Sequence, residues 1–159
     1  MSSHEYQVQI SNLIQQETDL YTRLLETLND ENQALCNNDF EKVHTLTSAK
    51  QQIVDTLSSL ARQRESLLQQ AGFSKNKSGI TAFIKASGGR LERAWQALMT
   101  KVSECSRQNE INGIMISTAS RRTLNALSIL RGQQPGDNVR YGSRGEALNI
   151  PSSSPLAKA

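Results

Sequence analysis

The side chains that could do chemistry are few, and they do not form a recognisable active site. The chain has two histidines, His4 and His44, and two cysteines, Cys36 and Cys105, and none of them falls into a spacing typical of catalysis. The sequence contains no HExxH, GxSxG or Walker phosphate loop, and no carboxylate cluster with metal-ligand spacing. We therefore predict that the protein is not an enzyme and needs neither a cofactor nor a metal.

The two cysteines also bear on the cellular location. Cys36 and Cys105 lie on separate helix-forming segments and form no CxxC pair, which is typical of a reducing cytosol. The N-terminus shows no signal-peptide pattern, and no apolar run is long enough to span a membrane. The sequence predicts a soluble cytoplasmic protein without membrane insertion.

Two asparagines are the unusual residues, because they interrupt an otherwise apolar helical seam. Asn109 and Asn112 lie in a proline-free stretch, 90–133, whose a and d heptad positions are mostly apolar. A buried amide fixes the register of packed helices, since misalignment would leave it unpaired. The asparagines either set this register or mark where the core gives way to a partner-binding region, with Gly113 letting another helix approach closely. On sequence alone both interpretations remain open.

These residues must be positioned by helices, because apolar residues recur at helical spacing as far as residue 132. Aromatic residues are only 4% of the chain, and a hydrophobic fraction of 36% fits helices that each bury a narrow stripe. We predict an all-α fold: an elongated antiparallel bundle of three long helices with a short connecting helix and a disordered C-terminal tail. The helices are expected at about 6–35, 40–71, 79–87 and 90–132, within a bundle domain 1–133 followed by a flexible tail 134–159.

Local signals set the predicted ends of these helices. Asn38 or Asp39 is expected to cap the second helix, Gly72 to end it in a left-handed conformation, and Ser78 to cap the short helix. The second helix is expected to turn its apolar residues inward, beginning with Phe40. Because its connection to the first helix is short, the two must be antiparallel neighbours.

The last long helix carries more apolar surface than one seam requires. A second apolar set lies in its later part, and its helical spacing predicts a groove for an amphipathic helix of a partner. The candidate binding residues are Ile111, Ile114, Met115, Leu124, Leu127 and Leu130.

The charge distribution argues against a nucleic-acid partner. Lys and Arg number 18 and Asp and Glu 15, but acids dominate the first third of the chain and bases the later part. Opposite charges on neighbouring helices favour their antiparallel register. Because no nucleic-acid-binding motif is present either, we predict no nucleic-acid partner and keep an RNA- or DNA-binding protein only as a third alternative.

A set of short segments spread over nearly the whole chain is similar to a known family. The set includes an Asn-x-x-Asn-Gly element inside a long helix, at 109–113, and a tail with a tyrosine. Its members are 17–21, 24–25, 31–35, 38–39, 64–68 and 109–113, with Lys50, Gly72, Trp95, Tyr141 and Gly145. In these segments and in its helical layout the chain resembles the FlgN-type flagellar export chaperones.

The resemblance implies a cytosolic chaperone of the flagellar type III secretion pathway that does not use ATP. Its clients would be the hook-filament junction proteins, hook-associated proteins 1 and 3, bound through their C-terminal helical segments. The C-terminal part of the last long helix would bind them, and the chaperone would prevent their premature assembly and deliver them to the flagellar export gate. The family contacts this gate through a tail tyrosine that corresponds to Tyr141.

A second interpretation gives the protein no client. In this alternative it is a structural coiled-coil adaptor or homo-oligomer, and the surplus apolar residues of the last helix form the seam between its copies. For the chaperone we expect a monomer or a weak homodimer.

Overall fold

The computed structural model describes residues 2–132 together with the strand residues 140–141 and 147–148, and this part of the chain contains four helices. The helices confirm the predicted all-α fold class of three long helices and one short connecting helix. They are α1 (Ser3–Cys36), α2 (Phe40–Gln70), α3 (Lys77–Ser87) and α4 (Gly89–Leu130).

Two short strands follow the helices. β1 (Arg140–Tyr141) and β2 (Ala147–Leu148) pair antiparallel, with Tyr141 opposite Ala147. Apart from these two strands, the predicted flexible tail 134–159 lies outside the described residues.

The turn between α1 and α2 is set by two polar residues. Asn38 takes a left-handed backbone conformation with φ of 56°. Asp39 is the N-cap of α2, because its Oδ1 accepts the backbone N–H of Lys42 at 3.1 Å. At the other end of α2, Gly72 has φ of 86°, the left-handed conformation predicted for it.

The cap of α3 differs from the one expected. Asn76, and not Ser78, is the N-cap, and its Oδ1 accepts the backbone N–H of Gly79 at 3.0 Å. The Ser78 hydroxyl donates to the same oxygen at 2.6 Å, so it supports the cap without being it. An asparagine side chain at the N-cap reaches the backbone N–H three residues further on as well as a serine side chain does. The sequence therefore did not distinguish Asn76 from Ser78 as the cap.

The direction of α4 follows from its bonds to α1. The thiol of Cys105 donates to the backbone oxygen of Tyr21 at 3.2 Å, and Asn112 Nδ2 donates to that of Leu28 at 2.8 Å. Both pairs are 84 residues apart, so the numbering rises together and α4 runs parallel to α1 in this region. With α2 antiparallel to α1, the three helices run up, down and up.

The core consists of two clusters. The first joins all four helices, and its buried members are Ile10, Ile14, Leu68, Ile80, Phe83, Ile84, Leu91 and Leu98. The second has no member from α3, and its buried members are Leu24, Leu28, Leu57 and Cys105. Phe40 belongs to neither cluster, because it is 60% exposed at the start of α2; the expectation that it points inward is wrong.

The contacts divide the chain into two compact units, Met1–Ile116 and Ser117–Ala159. The first contains both core clusters. The second contains the last part of α4 and the two strands.

Candidate functional site

Asn112 is the centre of a buried polar network that links three helices. Its Nδ2 donates to the backbone oxygen of Leu28 and to Glu31 Oε2, both at 2.8 Å. Its Oδ1 accepts from Asn32 Nδ2 and from Gln108 Nε2, both at 3.0 Å. Asn112 is only 1% exposed, and these four hydrogen bonds satisfy both donors and the acceptor of its amide within the protein.

The carboxylate of Glu31 joins this network to α2. Lys50 Nζ donates to both of its oxygens, at 2.8 and 3.1 Å. The buried charge is tolerated because the ammonium of Lys50 and the amide of Asn112 replace the water it has lost.

A second buried carboxylate, Glu17, lies further towards the N-terminus of α1. Arg64 Nε donates to its two oxygens at 3.0 and 3.3 Å, and the Arg64 guanidinium lies 5.2 Å from the ring centroid of Trp95. Burial raises the pKa of Glu17 above its ordinary value, and the nearby Arg64 charge opposes this without cancelling it. The contacts of Glu17, Arg64 and Trp95 thus link α1 to α2 and α2 to α4.

Three of the predicted partner-binding residues lie in the first unit. Ile111 and Ile114 are exposed, and Met115 is half-buried. Met115 faces α1, because its Sδ accepts a hydrogen bond from Asn32 Nδ2 at 3.2 Å. Their spacing of three and four residues places the three side chains on neighbouring positions of one helix surface.

The other three predicted residues lie in the second unit. Leu124, Leu127 and Leu130 recur every third residue on α4, and all three are exposed, the last by 83%. Ile129 is 60% exposed beside them. Exposed apolar side chains at this density are typical of a surface that meets another molecule.

The remaining predicted site residues have different surroundings. Asn109 is exposed, in contrast to the buried Asn112. Gly113 faces open space, and a Cβ added to it would meet no atom within 4 Å. Tyr141 is the second residue of β1 and pairs with Ala147 through its backbone.

One surface feature was missed by sequence reasoning, a groove in the first unit between α2 and α4. We call it the open groove, and its volume is about 400 Å³. Its lining includes Leu24, Leu28, Val54, Val102, Cys105 and Asn109. Val54 is 39% exposed on one wall, although it had not been singled out.

The described residues form neither a metal-binding cluster nor a membrane-spanning helix. Among those residues no three His, Cys, Asp or Glu side chains gather to hold a metal ion. Helices of the length and hydropathy needed to cross a bilayer are likewise absent from residues 2–132.

This class of molecule, an all-α bundle with exposed apolar helix surface, agrees with the comparisons to known proteins. A family model described as FlgN protein matches residues 6–149, so the chain belongs to the FlgN family, which confirms the resemblance seen in the sequence. The chain is also similar to the crystal structure of a candidate flagella synthesis protein FlgN from Pseudomonas aeruginosa. The TM-score is 0.60 at 25% sequence identity, over 73% of this chain and 92% of that one. No curated protein matches the chain.

Family and structural similarity together assign the chain a role related to the flagellum.

Proposed function

We propose that the protein is a cytoplasmic export chaperone for the hook-filament junction proteins, hook-associated proteins 1 and 3. It binds their C-terminal helical segments, keeps them from assembling early and delivers them to the flagellar type III export gate. It works by binding and not by catalysis, and it uses no cofactor. Membership of the FlgN family supports this proposal, because the resemblance to the FlgN-type export chaperones implies this function.

The observation that carries the proposal is the exposed apolar surface of α4. The proposed client-binding residues are Ile111, Ile114, Met115, Leu124, Leu127 and Leu130, and five of these six are exposed. Burying one such side chain against a partner contributes about 1.5–3 kcal/mol, so a few of them suffice for moderate affinity. Moderate affinity suits a chaperone that must release its client at the gate, and ordering of the client lowers it further.

Met115 adds an adaptable contact to this surface. Its thioether is flexible and polarisable, and it can fit side chains of different shape. Its present partner is Asn32 on α1, so a client reaching Met115 would touch α1 as well. Asn112 is proposed to fix the register of α4 on α1, so that Ile111, Ile114 and Met115 keep their positions within the first unit.

Delivery to the export gate is proposed to depend on Tyr141. Replacing Tyr141 by Ala should leave client binding unchanged and reduce secretion of the junction proteins by cells. Secretion at the wild-type level would contradict this role.

The test of the chaperone function is a binding measurement with the C-terminal segments of the junction proteins. Leu127→Asp should abolish binding and leave the helical circular dichroism nearly intact, because the side chain is 43% exposed. Val8→Asp is the matched control, since Val8 is similarly exposed, at 46%, on α1. Equal binding by both variants would contradict the proposal.

Size measurement by sedimentation separates the chaperone from the adaptor. The chaperone should be a monomer or a weak homodimer whose mass rises with concentration. A permanent oligomer that Leu127→Asp dissociates would favour the structural adaptor, because the exposed leucines would then join identical copies.

A further inference from the structure

The last part of α4 carries charge of one sign only. The stretch 117–131 contains three arginines, Arg121, Arg122 and Arg131, and no acidic residue. The earlier part of the same helix, 89–116, mixes four basic residues with three acidic ones. Its leucines are buried, whereas the leucines of the last part are exposed. Positive charge without negative charge therefore accompanies the part of α4 whose leucines are uncovered.

These arginines have no counter-charge within the described structure. The three ion pairs found among residues 2–132 all lie within the first unit. Arg121, Arg122 and Arg131 are exposed and take part in none of them. A guanidinium group can bind a carboxylate through two parallel hydrogen bonds, so an acidic partner is the one these side chains fit.

Two of the arginines border the exposed leucines. We call Leu124, Leu127 and Leu130 the leucine stripe. Residues three or four positions apart are neighbours on the surface of a helix. Arg121 lies three residues before Leu124, at one end of the stripe. Arg131 lies four residues after Leu127, at the other end, and its backbone N–H donates to the Leu127 oxygen at 3.1 Å, which keeps the helical spacing.

Arg122 lies on another side of the helix. Its neighbours three and four residues further on are Asn125 and Ala126, and neither belongs to the leucine stripe. Successive residues of an α-helix are turned by about 100°, so Arg121 and Arg122 share charge and exposure but differ in their surroundings. The two arginines therefore distinguish the position of a charge from its presence.

We propose that the leucine stripe binds an amphipathic client helix whose apolar face is flanked by acidic residues, which pair with Arg121 and Arg131. These arginines are ten residues apart, about 15 Å of helix, so a client helix lying along α4 carries its carboxylates at about the same spacing. Charges at the rim of an apolar contact guide association and reject wrong partners more than they add affinity. This inference rests on the proposed chaperone function and adds the charge of the client segment.

A second copy of the chain is a poorer occupant of the leucine stripe. Two stripes packed face to face would bring Arg121 and Arg131 of one copy close to the same arginines of the other, whichever way the helices run. Like charges placed opposite each other oppose association. The charge pattern thus favours a client over a seam between identical copies.

An anionic membrane is another acidic surface that could attract arginines. Segments that bind anionic lipids through charge carry clusters of about four to eight lysines or arginines. The stretch 117–131 has three, and Arg122 lies away from the leucine stripe. We therefore commit to the client helix and treat membrane binding as an outcome of the test.

Peptide binding to charge-reversed variants of the full-length protein tests the inference. The probes are synthetic peptides covering the C-terminal helical segments of the junction proteins. In about 0.1 M salt, Arg121→Glu should weaken binding about tenfold and Arg122→Glu, the matched control, about twofold at most. In about 1 M salt the screening length falls to about 3 Å, and the two variants should bind alike. Circular dichroism should report the same helix content for both, because both side chains are exposed.

A charge swap gives a readout that a structural defect would not change. Each Asp or Glu of the peptide is replaced in turn by Lys. The peptide altered at the position that pairs with Arg121 should bind the wild-type protein about tenfold more weakly and should recover most of this loss with the Arg121→Glu variant.

The outcomes separate this inference from the chaperone function. If binding depends on Leu127 but responds equally to reversal of Arg121 and of Arg122, or if no charge swap restores it, the inference is overturned while the chaperone function stands. If the wild-type protein binds no peptide, both fall. Flotation with phosphatidylserine-containing vesicles is measured in parallel. Vesicle binding that Arg121→Glu abolishes, with peptide binding unchanged, overturns the inference in favour of a membrane.

Discussion

Asn112 donates a hydrogen bond to Glu31 at 2.8 Å, and both side chains are only 1% exposed. An amide and a carboxylate in the interior form a specific pair, since another alignment of α4 on α1 would take the Asn112 amide away from Glu31 and from the backbone oxygen of Leu28. The polar residues that lower the apolar content of the seam thus fix the relative position of the two helices.

Replacing Asn112 by Asp should destabilise the protein and make its stability depend on pH. A second carboxylate would then face Glu31 in the interior, and we expect a loss of about 2–4 kcal/mol at pH 7. The variant should recover part of this loss as the pH falls, because a shared proton removes the repulsion. Urea unfolding at pH 7 and pH 5 measures it, with the exposed Asn109→Asp as control. Equal stabilities of the two variants would contradict the central role of Asn112.

Glu17 should contribute to stability in the direction set by its raised pKa. A carboxyl whose pKa is higher in the folded than in the unfolded state contributes stability fully below the unfolded value, near 4.5, and loses it as the pH rises through the folded value. The advantage of wild type over Glu17→Gln should therefore shrink between pH 4 and pH 7. Paired unfolding curves measure this, with Glu26→Gln on the exposed side of α1 as control. An advantage that grew with pH would show that Arg64 outweighs burial.

Two glycines in helices should respond oppositely to alanine. A Cβ at Gly79 would collide with the backbone oxygen of Ser74, so Gly79→Ala should cost about 1–3 kcal/mol. Gly113 faces open space, so Gly113→Ala should stabilise the helix by about 0.5–1 kcal/mol. Thermal unfolding of the two variants compares them directly. If Gly113→Ala also weakens client binding, the glycine serves a close approach of the partner.

The two cysteines should differ in reactivity. Burial raises the pKa of the Cys105 thiol, which also donates to Tyr21, whereas Cys36 is exposed. Because the thiolate is the reacting species, iodoacetamide at pH 8 should modify Cys36 at least tenfold faster. Peptide mapping by mass spectrometry gives both rates in one sample. In 6 M guanidinium chloride the rates should become similar, and a difference that persisted there would point to a cause other than the fold.

The apolar periodicity of the sequence determined the helices, because each apolar stripe marks the buried face of its own segment. The helix order, the antiparallel pairing of α1 and α2, and the left-handed Gly72 followed from spacing and turn chemistry alone. Family membership was also visible in scattered short segments. These features depend on residues near one another in the chain.

Tertiary structure decided what depends on partners far away in sequence. Glu17 and Glu31 look like interruptions of an apolar seam until Arg64 and Lys50 are seen beside them. Phe40 looks like a core residue, but it is exposed as the first residue of α2. Asn109 and Asn112 have the same side chain and differ only in which one meets α1. The open groove is likewise invisible in any single helix, because its walls come from α2 and α4 and its floor from α1. Burial and pairing are properties of the assembled helices, and a helical stripe specifies that a face will be covered without specifying by what.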